Sequence, residues 1–224
     1  MRPIAKIYTD FPEKFGLPRQ SGIVKELRGK IIFEPEYRDI SAVRGLDKYS
    51  HIWLLWQFSG FDGGDWSPTV RPPRLGGNKR MGVFATRSPN RPNPIGLSAV
   101  RLEKISFDEK LGAVLEVSGI DMMDGTPIYD IKPYLSFADS YPDAVCGFAD
   151  EKLGERAAVE IPESIANTLD AETLLQLRKI LAEDPHPHYQ NDPDRVYGFT
   201  FKNMQIRFYA AENRIKVLSA VRIS

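Results

Sequence analysis

The stretches Leu97-Ser-Ala-Val-Arg-Leu-Glu-Lys-Ile105 and Ala113-Val-Leu-Glu-Val-Ser-Gly-Ile120 decide the fold class. Each is a short run rich in β-branched and apolar residues, which is typical of a β-strand. His51-Ile-Trp-Leu-Leu-Trp-Gln-Phe58 is nearly all apolar or aromatic, as expected for a strand buried on both faces. Its Trp53 and Trp56 are expected in the core, with stacking on a ligand as the alternative. Strands at this spacing, with few helical segments between them, predict a mainly β fold built as an antiparallel barrel or sandwich.

Further strands are predicted at Gly22–Leu27, Lys30–Glu34 and Met81–Thr86, with Arg28-Gly29 as the turn between the first two. The sequence has no repeating strand–helix alternation and no Gly-x-Gly-x-x-Gly motif. Both features are expected of a dinucleotide-binding α/β sheet, so a Rossmann domain is disfavoured.

The C-terminal third carries the most persuasive helical pattern. Ser164–Glu183 has apolar residues at helical spacing, and Asp170 is a good N-cap for its stronger second half. Asp184-Pro185 is expected to end the helix. Arg195–Ala210 and Arg214–Ile223 are then predicted to form two or three antiparallel strands.

At 224 residues the chain is long enough for one large domain or two small ones with buried cores. We expect a β-rich domain at residues 1–145 and a small α+β domain at residues 146–224. Cys146 is the single cysteine, which excludes a disulfide framework within the chain. The N-terminus resembles no signal segment, and no apolar run approaches the roughly 18 residues of a membrane span. A cytoplasmic protein is therefore expected.

The histidines do not predict a metal centre. His51, His186 and His188, with the distant Cys146, match no zinc-ligand spacing. His186-Pro-His188 alone could suggest a metal, but two histidines beside prolines are more simply loop residues. We therefore expect no bound metal.

Arg71–Ser98 is rich in proline and glycine, and it carries six cationic side chains and no Asp or Glu. Proline fixes the backbone and glycine permits close approach, so this segment can hold its arginines in place before a ligand binds. Preorganised cations suit a carboxylate, a phosphate or a nucleic acid; the alternative is a rigid, solvated connection. The whole chain balances 30 basic against 30 acidic residues, but Asp121–Glu160 is mainly acidic. Such segregation steers a polyanion to one face.

Two other segments complement this basic loop. Lys14–Gly22 is a second Gly/Pro loop with cationic and amide side chains, or simply an N-terminal turn. Asp121, Asp124 and Asp130 surround Asp124-Gly125, which is a hairpin turn signal. These carboxylates could cap backbone donors, bind ribose hydroxyls or act as a general base. A basic loop and an acidic turn together suit a ligand with both signs of charge, such as S-adenosylmethionine.

Long motifs in this chain match one known family. They are Pro18-Arg-Gln20, Val43-Arg-Gly-Leu-Asp-Lys-Tyr-Ser-His-Ile-Trp53, Thr69-Val-Arg-Pro-Pro-Arg-Leu-Gly-Gly77, Met81-Gly-Val-Phe-Ala-Thr-Arg-Ser-Pro-Asn-Arg-Pro-Asn-Pro-Ile-Gly-Leu-Ser98, Asp124-Gly-Thr-Pro-Ile-Tyr-Asp-Ile-Lys-Pro-Tyr134, Asp184-Pro-His-Pro-His-Tyr189 and Arg195-Val-Tyr197. On these motifs the chain resembles the TsaA-like or TrmO family, the bacterial tRNA adenosine methyltransferases also described as YaeB-like proteins. The resemblance is dense over about residues 1–145 and looser in the tail.

The resemblance implies a non-Rossmann, antiparallel β-barrel methyltransferase that acts as a homodimer. It implies that S-adenosylmethionine is the cofactor and that the methyl group goes to the exocyclic N6 of threonylcarbamoyladenosine, next to the anticodon of certain tRNAs. Relatives often carry His and a polar residue where this chain has Ser59-Gly60, so backbone contacts are expected there. By motif position, the cofactor contacts fall on Pro18, Arg19, Gln20, Ser59, Gly60, Arg87, Leu97, Asp121, Met122, Met123 and Asp124.

Under this hypothesis, Arg87 and Arg91 bind a carboxylate of the cofactor or of the threonyl group, and Asn90 and Asn93 orient the carbamoyl. The candidates for accepting the proton are Asp130 and Tyr129, although the sequence identifies no base. Further cations are expected to hold tRNA phosphates, namely Arg71 and Arg74 and, in the tail, Arg195, Lys202, Arg207, Arg214 and Lys216.

Three alternatives stay open. The tail domain could serve only to stabilise a dimer rather than to grip the anticodon arm. The barrel could be a non-catalytic module that binds S-adenosylmethionine or a nucleotide. It could also be a methyltransferase that acts on another small anionic substrate.

Overall fold

Strands dominate the chain, as its sequence predicts. The computed structural model describes residues 1–58, 66–72, 79–152, 154–186, 195–211 and 213–223. The strands are β1 (Ala5–Thr9), β2 (Arg28–Phe33), β3 (His51–Gln57), β4 (Thr69–Val70), β5 (Met81–Gly82), β6 (Ile95–Asp108), β7 (Gly112–Ser118), β8 (Thr126–Pro133), β9 (Ala158–Glu160), β10 (Val196–Phe201), β11 (Met204–Ala211) and β12 (Arg214–Arg222). The α-helices are α1 (Ser136–Asp139), α2 (Glu163–Ala166) and α3 (Ala171–Ala182). Short 3-10 helices include Pro35–Tyr37, Ile40–Val43, Leu46–Lys48, Val83–Ala85 and Gly147–Lys152.

The N-terminal strands form a barrel. β1, β2, β7, β6, β3 and β8 pair in that order, and β8 pairs back with β1, so the antiparallel sheet is closed. Alternate residues face the interior; Ile7 of β1 lies opposite Ile31 of β2, and both are fully buried. The predicted mainly β fold is confirmed, and of the two architectures expected from the strands it is the barrel. Closure leaves these strands without a free edge.

β3 has one core face and one outer face. Ile52 and Leu54 are fully buried, whereas Trp53 is only partly covered. The prediction that this strand is buried on both faces is therefore wrong. Trp53 on the outer face is covered by the segment that follows β8. It packs on Tyr134, with 5.5 Å between ring centroids, and donates its Nε1–H to Asp139 Oδ2 at 2.9 Å.

The segment Gly22–Leu27 forms turns rather than the predicted strand. The Leu27 N–H donates to the Val24 carbonyl at 3.3 Å, and both side chains are buried. The predicted turn at Arg28-Gly29 instead lies inside β2. A Cβ on Gly29 would meet Ile7 Cδ1 at 2.9 Å, so this glycine serves close packing and not a reversal of the chain.

The C-terminal part is a small α+β unit, as predicted. Its sheet has the order β10–β11–β12–β9, with β9 parallel to β12 and the other pairs antiparallel. The predicted helix Ser164–Glu183 is divided into α2 and α3. Asp170 separates them because its backbone is extended and its carboxylate accepts the Thr173 N–H at 2.8 Å, which caps α3.

One apolar core continues from the barrel into the C-terminal sheet. Phe11 and Phe201 approach to 5.0 Å between ring centroids, and Phe15 lies nearly parallel to Phe208 at 6.4 Å. The segment 10–27 therefore lies between the two parts of the chain. Among the described residues, no helix combines the length and the apolar character needed to cross a membrane.

Candidate functional site

Asp121 is the centre of the candidate site. It follows β7, and its Oδ1 accepts the hydroxyl hydrogen of Ser98 at 2.6 Å. The Ser98 oxygen accepts the Trp56 Nε1–H at 2.9 Å, and Ser98 is fully buried. An indole nitrogen can only donate and an ionised carboxylate can only accept, so the direction of both hydrogen bonds is fixed while Asp121 is charged. The hydroxyl hydrogen of Ser98 is therefore directed at the Asp121 carboxylate.

Trp56 can occupy this position because β6 has a glycine opposite it. Gly96 pairs with Trp56 across the β3–β6 ladder. A Cβ on Gly96 would lie 2.2 Å from Trp56 Cε2, so the indole rests directly on the glycine backbone. The indole also packs on Phe58, with 4.5 Å between ring centroids. These contacts hold the indole nitrogen at Ser98.

Burial raises the pKa of Asp121 from 3.8 to about 6, because removal from water disfavours the charged form. Hydrogen bonds from the Ser98 hydroxyl and the Ser21 backbone and the nearby Arg87 charge act in the opposite direction. The site thus contains a carboxyl group that changes charge near neutral pH. Such perturbed groups are concentrated at functional sites.

Three segments that are distant in sequence meet here. Arg87 of the basic loop donates to Gln20 Oε1 of the N-terminal loop. The same guanidinium is close enough to Asp121 to lower its pKa. Gln20, Arg87 and Asp121 were all predicted as cofactor contacts, and the structure brings them together. The cluster offers amide, guanidinium and carboxylate groups side by side.

Other predicted cofactor contacts have different surroundings. Leu97 is 53% exposed and lies on the outer face of β6, opposite to the buried Ser98. Met122 is fully buried, and its carbonyl accepts the Thr9 hydroxyl at 3.2 Å. Met123 is half-buried and accepts the Thr126 N–H at 3.3 Å through its carbonyl. In this arrangement the Met122 side chain belongs to the core.

Asp124 ties the acidic turn to β1. Its Oδ1 accepts the Thr9 N–H at 2.9 Å, and its own N–H donates to the Phe11 carbonyl at 2.8 Å. Gly125 has φ +73, which suits the predicted turn. The turn does not form a hairpin, however, because β7 and β8 pair with different neighbours. Of the three roles considered for these carboxylates, the structure shows Asp124 in the first, as an acceptor for a backbone N–H group.

Pro18 and Arg19 lie on the side of the N-terminal loop that faces the C-terminal part. Pro18 is buried, and Arg19 donates through a terminal nitrogen to the Asp184 carbonyl at 3.3 Å. Both residues line a narrow cleft against the end of α3 at Ile180. Their contacts attach the loop that carries Gln20.

Tyr129 and Asp130 lie on the outer wall of the barrel. Tyr129 occupies a bulge between β3 and β8 and donates its hydroxyl to Gln57 Oε1. Asp130 lies opposite Leu55 and forms an ion pair with Lys132 at 2.9 Å. The sequence analysis placed Asp130 beside the Asp124-Gly125 turn, but Asp130 lies within β8, the strand that follows this turn. Neither one belongs to the Trp56–Ser98–Asp121 chain.

The predicted substrate-binding residues divide into two groups. Arg91 supports its own loop, since its Nη2 donates to the carbonyls of Val83 at 3.1 Å and Thr86 at 2.7 Å. Arg71, Asn90 and Asn93 are exposed and available to a ligand. Arg74, Ser59 and Gly60 lie outside the described residues.

Sequence reasoning missed Ser98 and Gly96. The signal was present: in the strand pattern Gly96, Ser98 and Val100 alternate toward the interior, and a serine at a core position needs a polar partner. Within the described part of the chain no group of three or more His, Cys, Asp or Glu side chains could hold a metal ion. His188 lies outside that part.

Comparisons with known proteins agree with this architecture. The family description "tRNA-methyltransferase O N-terminal domain" matches residues 6–140, and "TrmO C-terminal domain" matches residues 154–223. The chain is 40% identical over 224 residues to a tRNA (adenine(37)-N6)-methyltransferase of Escherichia coli (strain K12), covering 96% of this chain and 95% of that protein. It is 39% identical over 225 residues to a putative S-adenosylmethionine-dependent methyltransferase RcsF of Pseudomonas aeruginosa, again covering 96% and 95%.

A crystal structure of TrmO from Pseudomonas aeruginosa superposes on this fold with a TM-score of 0.78 at 33% identity. The superposition covers 98% of this chain and 95% of that one. The similarity in sequence and in fold thus extends over nearly the whole length of this chain and of these relatives. The chain therefore belongs to the tRNA-methyltransferase O (TrmO) family.

Proposed function

We propose that this protein is an S-adenosylmethionine-dependent tRNA methyltransferase that methylates the N6 of adenosine 37, in the form of threonylcarbamoyladenosine. The observation that carries the proposal is the convergence of Gln20, Arg87 and Asp121 at one place in a fold shared with TrmO. A relative that aligns over 96% of this chain and 95% of its own length is named as a tRNA (adenine(37)-N6)-methyltransferase, which supports the reaction and the position.

The donor set of the cluster fits S-adenosylmethionine. Asp121 offers a carboxylate to ribose or amino hydrogens, while Arg87 and Gln20 offer N–H groups to a carboxylate. We assign the remaining contacts to Pro18, Arg19, Ser59, Gly60, Leu97 and Met123. Met122, whose side chain lies in the core, and Asp124, which caps β1, hold the acidic turn in place next to them. When bound, the cofactor supplies an electrophilic methyl group. This chain's residues contribute alignment and charge.

The substrate nitrogen is a weak nucleophile because its lone pair is delocalised into the purine and the carbamoyl group. Asn90 and Asn93 are exposed and can donate to the carbamoyl oxygen. Asp130 and Tyr129 are our candidates for taking the proton. Leu55 pairs with both Leu97 and Asp130, so the carboxylate lies two strand spacings from Leu97, about 10 Å, on the same outer face.

The basic residues supply the RNA contact in this proposal. Arg71, Lys79 and Arg80 are exposed, and the sequence from Trp66 to Leu102 has no acidic residue. In the tail, Arg207 and Arg214 are exposed, whereas Lys216 is paired with Glu160 at 3.2 Å. Binding through such contacts weakens steeply with salt.

We further propose that the protein is a cytoplasmic homodimer, divided into domains at residues 1–145 and 146–224. The apolar residues Phe137, Tyr141 and Val145 are 87%, 77% and 91% exposed, which supports an interface near the end of the barrel. Burial of these side chains in a dimer would remove them from water.

The test is methyl transfer from labelled S-adenosylmethionine to tRNA with and without the threonylcarbamoyl group, followed by nucleoside mass spectrometry. We expect label at N6 of adenosine 37 in the modified tRNA only. Cofactor binding without label in either RNA would favour a non-catalytic binding module. Label in a small anionic compound, but not in RNA, would favour the second alternative.

A further inference from the structure

Two exposed aromatic rings stack on each other beside the basic loop. Phe84 is 76% exposed and Trp66 is 50% exposed. Their ring centroids are 6.4 Å apart and their planes differ by 26°. Aromatic side chains of this size are usually largely buried in folded proteins. Neither ring belongs to the Asp121 cluster, and the assigned cofactor contacts do not use them.

The backbone holds Phe84 in this exposed position. The predicted strand Met81–Thr86 is a strand only in β5 and continues as the 3-10 helix Val83–Ala85. Val83 is 1% exposed, and its N–H donates to the Pro68 carbonyl at 2.9 Å. Its carbonyl accepts from Arg91 and from the Thr86 hydroxyl, at 3.1 and 2.8 Å. Because Val83 is anchored inward, the next side chain is fixed outward.

The β4–β5 ribbon brings the second ring to the same place. Thr69 pairs with Gly82, so the residues before β4 and after β5 are neighbours. Arg80 donates to the Thr69 hydroxyl at 3.0 Å and stays exposed at the other end of the ribbon, where Arg71 and Lys79 are exposed too. The two rings thus lie at one end of a short two-stranded ribbon, and three cationic side chains lie at its other end.

We propose that Trp66 and Phe84 form a stacking platform for an unpaired base of the RNA substrate. This inference rests on the proposed function and extends it to a named RNA contact. An unpaired nucleotide offers a π-face to the rings and a phosphate to the cations, which matches both properties of this surface. A purely apolar protein partner would match the rings but would leave the cations without counter-charges.

The experiment measures binding of a fluorescent anticodon stem-loop RNA by anisotropy at several salt concentrations. Phe84→Leu keeps an apolar side chain and removes the aromatic face, and Trp66→Leu does the same for its neighbour. We expect each to weaken binding by about tenfold, because each removes an aromatic face on which a base can stack. The slope of log affinity against log salt is expected to stay as in the wild type.

Three further variants serve as controls. Phe107→Leu changes a phenylalanine that is 59% exposed at the far end of β6, and it should leave RNA binding unchanged. Arg80→Ala should lower the salt slope by about one, since it removes a phosphate contact and no ring. Phe84→Trp should retain binding because it supplies another aromatic face. A general structural defect would not produce these opposite patterns.

Equal RNA affinity of Phe84→Leu and the wild type would overturn the platform while leaving the proposed function intact. The platform would also be overturned if Phe84→Leu had a different molecular mass from the wild type in sedimentation and bound S-adenosylmethionine more weakly. The rings would then serve an interface between two copies of the chain. If the wild type neither binds nor methylates the RNA, the proposed function fails, and this inference fails with it.

Discussion

Replacement of Asp121 by asparagine should stabilise the protein at alkaline pH. The pKa of Asp121 rises from 3.8 to about 6 in the folded state, mainly because burial disfavours the carboxylate. Between these values the folded state keeps a proton that the unfolded state has lost. The free energy of unfolding therefore falls as the pH rises through this window and stays lowered above pH 6. An asparagine side chain at this position carries no charge, so the variant would escape this loss.

The magnitude follows from the same two pKa values. They differ by about two pH units, and each corresponds to about 1.36 kcal/mol, which gives about 3 kcal/mol. Asparagine keeps one carbonyl oxygen for the Ser98 hydroxyl but offers N–H groups where the carboxylate accepts from the Ser21 backbone. The loss of that hydrogen bond costs about 1 kcal/mol. The net gain for Asp121→Asn at pH 8 is then about 2 kcal/mol.

Urea denaturation of the cofactor-free protein at pH 5 and pH 8 measures this difference. Asp170→Asn is the matched control with the opposite sign. Hydrogen bonds from Thr173 lower the pKa of Asp170, so this carboxylate stabilises the fold above its ordinary pKa of 3.8 and less in acid. The Asp170 variant should be less stable than the wild type at pH 8. An Asp121→Asn advantage that is equal at both pH values would refute the argument.

Three more variants test the site. Gly96→Ala places a Cβ 2.2 Å from the Trp56 ring and should lower the unfolding free energy by about 1–3 kcal/mol in thermal melts. Ser98→Ala removes a hydrogen bond that lowers the pKa of Asp121, so the pH midpoint of S-adenosylmethionine binding should rise. An unmoved midpoint would show that the Ser98–Asp121 hydrogen bond does not influence binding. Arg87→Ala should weaken S-adenosylmethionine about tenfold or more in calorimetry, since it removes a charged donor, and an unchanged affinity would exclude Arg87 from the site.

The strand pattern predicted the mainly β fold because its signal is local, but it left a barrel and a sandwich as equal alternatives. Runs such as Leu97–Ile105 alternate core and outer residues, and the structure extends this strand to Ile95–Asp108. Gly22–Leu27 misled the prediction because its apolar residues are spaced for a turn, with Val24 and Leu27 both buried. Composition alone could not distinguish the two. Gly29 led to the wrong prediction of a turn, because the sequence does not distinguish a glycine required by close packing from one required by a turn.

The site was only partly predictable for a related reason. Motifs identified Gln20, Arg87 and Asp121 as separate positions, and their convergence depends on barrel closure, which no single segment encodes. The roles of Asp124 and Arg91 were not readable either. Both are charged residues within the family motifs. Asp124 caps the backbone of β1, and Arg91 binds a carbonyl of the 3-10 helix Val83–Ala85. Charge and position in a motif do not distinguish a ligand contact from a backbone contact.

The N-terminal loop explains how the C-terminal part can influence the site. The segment 10–27 carries Gln20 and is fixed on its far side by the second half of the chain. Arg19 donates to the Asp184 carbonyl at 3.3 Å, and the Gln176 amide donates to the Glu26 carbonyl at 2.8 Å. Helix α3 and the residues after it thereby set the position of this loop. Since Gln20 in turn receives the Arg87 guanidinium, the packing of α3 is one of the conditions for the geometry of the candidate cofactor site.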